Sequence, residues 1–574
     1  MPEVPEIKES KAQRIERLKR AKNAWDHFDE IRSFARQGFD SIPPEWVGTY
    51  FRSWGIYTQG DGAGVTGGKN GEGKAVPFFM VRIRIPNGLI TTEQARLIAQ
   101  LSEQFGNGVA DITVRQNIQL HWVAIENIPE VLERLWSVGL STTGACGDVA
   151  RNITGCSLAG IHAHEIANVA PLALAIDKEL GGNPEFYNLP RKFKITVTGC
   201  PDWCSYPEIN DIGLTATRRT RHGGEEIGFS LRVAGGLSTE PHLAVKLNAF
   251  IQWHQVIPVV RAITNVFKES EGLRQSRDRA RLTYLFLRHG WTADSFLAAI
   301  EGKLGYKLDP AEPELLPSSF HRDHLGVIPQ KQPTLFTVGA SVVRGRITPA
   351  QIRIAADLAD QYGDGHLRAT PMQNLLLINI AGLNTAAVVD ALNAAGLPVL
   401  TNSFVRGTVA CTGSEFCKLA LTETKSFGRW LTEQLDERYP GYQEDIKLHI
   451  TGCPNSCGQH WIADIGLEGK KIKQDGKLVD AYYFCVGGSV GQVASIARPV
   501  GYRCAADEVP DAIARLLDHF HALRHHAERL QYFLARQTTD HLRSVLSGQP
   551  AHEAEIALRD LPLERVPHSI EDRP

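Results

Sequence analysis

The chain has 574 residues, of which 43% are hydrophobic and 22% charged, with a net charge of −2. The length exceeds what one core can organise and implies several compact units. The ordinary composition and near-neutral charge exclude a disordered chain and a generally basic nucleic-acid binder. No apolar run reaches the length of a membrane span, and the charged start carries no apolar h-region of a secretory signal. A cytoplasmic protein with neither membrane nor nucleic-acid partners is expected.

In chain order, residues 1–45 read as a charged N-terminal arm. A unit at 46–145 follows, and within it Gly68-x4-Gly73-Lys74 satisfies part of a phosphate-loop pattern. It lacks the Ser or Thr after the lysine and runs into a strand instead of a helix, so it is set aside as a nucleotide site. From Phe79 the sequence FMVRIRIPNGLITTEQARLIAQLSEQF predicts a strand, then a helix N-capped by Thr91 or Thr92. The alternation in NIQLHWV, after Arg115, Gln116 and Asn117, predicts a strand, and a second helix closes the unit. A unit at 146–330 contains Arg151 in GDVARNITG and then RKFKITVTGCPDWC, which starts at Arg191. Alternation there places Lys192 and Lys194 on one face of a predicted strand.

The chain then repeats itself. FTVGASVVRGRITPAQIRIAADLADQY, from Phe336, restates the first unit over 331–400, with Thr348 at the helix cap. IKLHITGCPNSCGQHWIADIGLEG, from Ile446, restates the stretch from Arg191 within a last unit at 401–574, which ends in a helix expected near 509–545. Both copies carry a Gly-Gly element, AGG at Ala234–Gly236 and VGG at Val486–Gly488. The strand–helix–strand–strand–helix order suggests an α+β unit with helices on one sheet face. The whole is a pseudo-two-fold duplication, which suits a cofactor held at the seam between halves.

Ten cysteines are too few for a disulfide scaffold in a chain of this size. Eight lie in two regions: Cys146, Cys156, Cys200 and Cys204, then Cys411, Cys417, Cys453 and Cys457. The second group, C-x5-C and C-x3-C, offers the four thiolates of a [4Fe–4S] cube, and the Thr, Gly, Pro, Asn and Ser around the last pair suit a tight loop whose N–H groups bond sulfur. Zinc sites favour closer pairs. In the first group Cys156, Cys200 and Cys204 align with Cys411, Cys453 and Cys457, but His162 stands where Cys417 would be. That set reads as a vestige of duplication holding no second cluster. Cys485 and Cys504 read as structural. The first half instead offers a set of basic side chains, Arg115, Arg151, Lys192 and Lys194. Across the repeat Arg115 corresponds to Met372, so the halves have specialised.

The segments ACTGSEFCKLALTETK and TGCPNSCGQ resemble the signatures of the ferredoxin-dependent sulfite/nitrite reductase family, and the resemblance extends over nearly the whole chain. It implies a duplicated fold with ferredoxin-like half-domains at 46–145 and 331–400 and sirohaem/Fe–S domains at 146–330 and 401–574. It implies Cys411, Cys417, Cys453 and Cys457 as cluster ligands, with Cys457 also bridging to sirohaem iron. Arg115, Arg151, Lys192 and Lys194 would line the substrate face. Arg191, Arg346, Gln116 and Asn117 are candidates for the sirohaem rim. With no dinucleotide fingerprint evident, reduced ferredoxin is the implied electron donor to a monomer. In the resembled family RKFK accompanies sulfite reduction, so Lys194 points to sulfite, with nitrite the alternative. A non-catalytic iron–sulfur electron carrier is the remote alternative, and the cation set counts against it. Some sulfite enzymes of this type crosslink a cysteine to a tyrosine. Tyr57 matches the tyrosine, but Val149 stands at the cysteine position, three residues after Cys146.

Overall fold

The computed structural model describes residues 9–62, 75–221, 223–317 and 323–549. The glycine-lysine stretch at 68–74 lies outside them. Four five-stranded sheets carry the architecture, two for each repeat. Among the described residues no helix is long and apolar enough to cross a membrane.

Each small unit has the expected strand and helix order. Helix Thr92–Gln104 is capped by Thr91, whose side chain accepts from the Gln94 N–H while Gln94 reaches back to the cap. Helix Pro349–Tyr362 repeats this with Thr348 and Gln351. Both bury narrow stripes, Ala95, Ile98 and Ala99 on one and Ile352, Ala355, Ala356 and Ala359 on the other. These small residues let the two helices approach closely. Their rims are tied by Arg96 to Asp357 and Asp360, each at 2.6 Å, and by Thr92 to Asp360 at 2.8 Å.

The two small sheets are interlocked, which the repeat pattern did not reveal. The first orders its strands Ile56–Gly60, Ala75–Ile83, Ile118–Ala124, Ala110–Ile112, and ends with Arg346–Ile347 from the second repeat. The second orders Gly326–Pro329, Leu335–Ala340, Leu375–Ala381, His366–Ala369, and ends with Leu89–Thr91 from the first. Both exchanged strands pair antiparallel, Arg346 opposite Asp111 and Leu367 opposite Ile90. The expected units 46–145 and 331–400 therefore share one apolar core, from Ala24 to Val399.

Two glutamines lock the same exchange. Gln116 and Gln373 occupy matching turns with φ of 56° and 63°. Gln116 accepts from the Gly155 N–H at 3.0 Å and donates to the Ala369 carbonyl at 3.0 Å, so it joins three units. Gln373 accepts from Ala410 N–H at 3.1 Å and donates to the carbonyls of Ile112 at 2.9 Å and Ala410 at 3.1 Å. Gln373→Ala should leave buried backbone groups unpaired, at about 1–3 kcal/mol for each. The expected result is a clearly lower urea midpoint with an unchanged fold by circular dichroism; an unaltered midpoint would show that the clasp carries no stability.

The larger units repeat a sheet in which three parallel strands are followed by two antiparallel ones. The parallel strands are Thr154–Gly155, Ile195–Thr198 and Ile212–Arg221, then Thr408–Ala410, Leu448–Thr451 and Ile465–Gln474. Each sheet has its own core, one around Phe193, Phe229 and Phe267 and one around Leu448, Phe484 and Leu516. A fourth cluster sits on the seam, where Tyr206 donates to the Met372 sulfur at 3.1 Å and Trp461 donates to the Ser238 carbonyl at 2.7 Å.

The C-terminal end corrects one expectation, and the N-terminal arm gains detail. The single C-terminal helix is three, Val509–Leu523, Leu530–Ala535 and Thr539–Ser547. The N-terminal arm is helical at Lys11–Ala21 and Phe28–Gln37, and it buries Lys19 and Glu16 against the first large unit. Lys19 reaches Asp148 at 3.3 Å and the Leu189 carbonyl at 2.9 Å, while Glu16 meets Arg274 at 2.6 Å.

Candidate functional site

The candidate thiols stand where parallel strands end, the place at which open α/β sheets present ligands. Cys411 follows strand Thr408–Ala410 directly, and Cys453 comes two residues after strand Leu448–Thr451. Ser456, with φ of 53°, turns the chain so that Cys453 and Cys457 belong to one tight loop. The Gly452 N–H donates to Cys411 Sγ at 3.2 Å and the Asn455 amide to Cys453 Sγ at 3.5 Å. Burial raises the Cys411, Cys417 and Cys453 thiols, Cys417 to about 12, and the charge of Cys457 adds to it in all three. The four thiols therefore lie within electrostatic reach of one another. Cys457 is the exposed one, free to offer its sulfur outward from the group.

The first half brings cations to the same space. Lys192 and Lys194 do not lie within a strand as predicted. They precede strand Ile195–Thr198 in extended chain, and Phe193 between them turns into the core, so the two lysines still share a face. Neither ammonium takes part in an ion pair or side-chain hydrogen bond among the described residues. Burial holds Lys192 down to about 7, helped by repulsion from Arg281 and Arg191 and opposed by Cys457. Burial holds Lys194 well below the usual lysine range, with Lys192, Arg281 and Arg115 adding to the effect. Arg115 is lowered to about 9, by burial first and then by Arg151. Cations crowded until their own charge is disfavoured form a receptor for an anion.

Arg115 and Arg151 are also structural. Arg115 donates to Asn210 Oδ1 at 2.8 Å and to the carbonyls of Asn152 at 2.5 Å and Ile195 at 3.2 Å, while its Nε is buried without a partner. Arg151 closes its own loop through the Gly147 carbonyl at 2.8 Å. Together with Arg52, Tyr57, Val149 and Arg191 it lines a cleft. Arg191 spends part of its charge on Asp148 at 3.4 Å.

Arg82 escaped the sequence reading and lies at the junction of both groups. It donates to Cys146 Sγ at 3.0 Å and sits 5.9 Å from the Tyr57 ring centroid. Burial works to lower its pKa, but the charges of Cys146, Tyr57, Cys457 and Cys417 raise it. Burial raises the Tyr57 hydroxyl, and the charge of Cys146 raises it further. Cys146 therefore neighbours Tyr57, although Val149 lines the same cleft. Arg281 was missed too. It pairs with Asp211 at 2.8 Å, and the same carboxylate accepts from the Lys194 backbone N–H at 2.8 Å, so it fixes the lysine segment. The alternation of Arg82 and Arg84 in the apolar strand VRIRI was a legible signal; for Arg281 no local pattern exists.

Three rim candidates have surroundings of their own among the described residues. Gln116 gives its amide hydrogens to Ala369 and to Ser157 Oγ at 3.3 Å, which leaves none for a cofactor. Arg346 is committed to Asp111 at 3.0 Å and Glu415 at 2.6 Å, in a buried network with His121 and Lys425. Asn117 is buried with its amide oxygen unpartnered.

Comparison with known proteins agrees with this layout. A family model for the nitrite and sulphite reductase 4Fe–4S domain matches residues 146–308 and 401–553. A model for the nitrite/sulfite reductase ferredoxin-like half domain matches 72–138 and 328–395. An assimilatory ferredoxin-dependent nitrite reductase of Haloferax mediterranei is 38% identical over 528 residues, covering 86% of this chain and 87% of that one. A sulfite reductase [ferredoxin] 2 of Mycolicibacterium paratuberculosis is 36% identical over 521 residues, covering 89% and 92%. The solved structure of the Mycobacterium tuberculosis NirA protein superposes with a TM-score of 0.87 at 34% identity, covering 92% of this chain and 97% of that one. The chain belongs to the nitrite and sulfite reductase family, with its two 4Fe–4S domains and two ferredoxin-like half domains.

Proposed function

We propose that this enzyme reduces sulfite to sulfide by six electrons taken from reduced ferredoxin, at a sirohaem coupled to a [4Fe–4S] cluster. One observation carries the reading: Lys192 and Arg82, from the first half, both lie within electrostatic reach of Cys457, from the second. An electron-transfer protein has no use for an anion receptor beside its thiols. Cys411, Cys417, Cys453 and Cys457 would hold the cluster, whose N–H-bonded sulfurs suit that chemistry. The unpaired Lys192 and Lys194, with Arg115, Arg151 and Arg191, fit the carboxylate-rich rim of sirohaem and a small oxyanion. Bound there, the two groups would supply a redox-active iron and electrons one at a time. The chain's own part is to hold the anion with Arg115, Arg151 and Lys194. Lys192, held to about 7, is matched to proton donation near neutral pH.

A visible spectrum with sirohaem bands, and ferredoxin-driven turnover of sulfite ahead of nitrite, is the expected result. A colourless protein, or a cluster spectrum without turnover of either anion, would overturn the reading. Nitrite as the preferred substrate is the second reading. It is favoured by Val149 at the crosslinking position and by a 38% identical relative named a nitrite reductase.

The donor reading makes a separate prediction. Docking of an acidic ferredoxin through exposed charges should weaken with salt, since screening acts within about 10 Å at 0.1 M. KM for ferredoxin should rise severalfold between low salt and 0.3 M NaCl. Salt-independent kinetics, or efficient direct use of NADPH, would count against it.

A further inference from the structure

The first repeat keeps three of its four matching cysteines, and the structure draws them together more tightly than a cube allows. Cys156 Sγ and Cys200 Sγ are 3.5 Å apart. The donor atoms of Cys156, Cys204 and His324 all lie within 4.8 Å of one another, and Cys200, tied to them through Cys156, also falls in a second such group with His162 and Asp202. All three cysteines are at most 2% exposed. A tetrahedral zinc with Zn–S bonds of about 2.3 Å places its sulfurs roughly 3.8 Å apart. A four-iron cube spreads its thiolates over separate corners and needs wider spacing.

His324 supplies an independent observation. It is 8% exposed, and its Nε2 is buried with no hydrogen-bond partner among the described residues. A buried imidazole nitrogen is costly to leave unmade, and this one belongs to a side chain whose donor atom lies beside two thiols. His162, the residue at the matching sequence position, is already used. Its Nδ1 accepts from the His164 N–H at 3.0 Å, and its Nε2 bonds Asp202 at 3.1 Å. Arg368, 8% exposed, donates to the carbonyls of Ser157 and Ala159, each at 2.8 Å. It places one positive charge beside the Cys156 turn, where three thiolates and a divalent ion would leave an excess negative charge.

We propose that Cys156, Cys200, Cys204 and His324 bind one zinc ion in a closed, structural site. Cys200-x3-Cys204 is wider than the closest zinc pairs but within the two-to-four-residue range that zinc cysteines span. His324 lies just before strand Gly326–Pro329, the first of the second small sheet, so the ion would fasten the crossover between repeats onto the first large unit. The site lies at the carboxyl ends of the strands that match the thiol-bearing strands of the second half. One seat of the duplication would then hold a cluster and the other a single ion.

Metal analysis of the full chain, produced with zinc and iron in the medium, tests this. We expect about one zinc per chain beside about five irons. Zinc-edge X-ray absorption on the unaltered protein should show three sulfurs at about 2.3 Å and one nitrogen at about 2.0 Å. That readout stands even where a variant fails to fold. His324→Ala and Cys204→Ala should each lower zinc at least tenfold with iron content and visible spectrum unchanged. Zinc near zero with all three thiols open to alkylation would overturn the proposal. So would a Cys156–Cys200 disulfide in the non-reduced mass spectrum, or about eight or nine irons with part of them lost in Cys200→Ala.

Discussion

Cys457→Ser should abolish ferredoxin-driven reduction of either anion, by a factor of about a thousand or more, which corresponds to roughly 4 kcal/mol of barrier. A serine hydroxyl stays protonated at neutral pH, whereas cluster iron is held by anionic thiolates. Cys457 is the one exposed member of the four thiols, and its charge reaches Cys411, Cys417 and Cys453 on one side and Lys192 and Arg82 on the other. One sulfur therefore serves both groups of residues. The cluster absorption and the sirohaem bands should change together. Cys485→Ser, at a buried position away from the thiol loops, is the control and should leave both spectra intact. Full activity of Cys457→Ser with an unaltered spectrum would refute the assignment.

Lys194→Asn should lower kcat/KM for sulfite by roughly ten- to a hundredfold while nitrite suffers much less. Sulfite keeps three oxygens around a pyramidal sulfur, whereas nitrite held through nitrogen presents two. Among the described residues the Lys194 ammonium has no ion-pair partner, and it is pressed by Lys192, Arg281 and Arg115. A charge-assisted bond to a third oxygen is worth about 1.5–3 kcal/mol, and each 1.36 kcal/mol is about tenfold. Were Lys194 only a partner for cofactor carboxylates, both substrates would fall together and cofactor content would drop. Rates for both anions on protein normalised for sirohaem separate these outcomes, and an equal loss would defeat the selectivity claim.

The duplication, the helix caps at Thr91 and Thr348 and the thiol loop around Cys453 and Cys457 were readable because each rests on local chemistry repeated twice. The Gly452 N–H on Cys411 sulfur is a contact that the loop composition announced. Lys192 and Lys194 were placed on the right face although not inside the strand, since extended chain has the same alternation whether or not it is hydrogen-bonded. For Gln116 and Arg346 the sequence could not separate a rim role from a bracing one. Polar side chains beside a site can serve it or brace it, and only the positions of Ala369, Gly155, Asp111 and Glu415 decide which. His324 lies in no motif at all. Its relation to Cys156 and Cys204 exists only in three dimensions.

The exchanged strands also set the order in which the chain can mature during synthesis. The edge at Ala110–Ile112 finds its partner only when Arg346 and Ile347 have been made, a separation of 235 residues between Arg346 and Asp111. Thr92 waits still longer for Asp360, 268 residues on. Until then the nascent first half presents an unpaired strand edge and an open apolar helix face, a state prone to aggregate. Such distant pairings slow folding. The ribosome-bound half is thus the stage at which the chain is most exposed to aggregation.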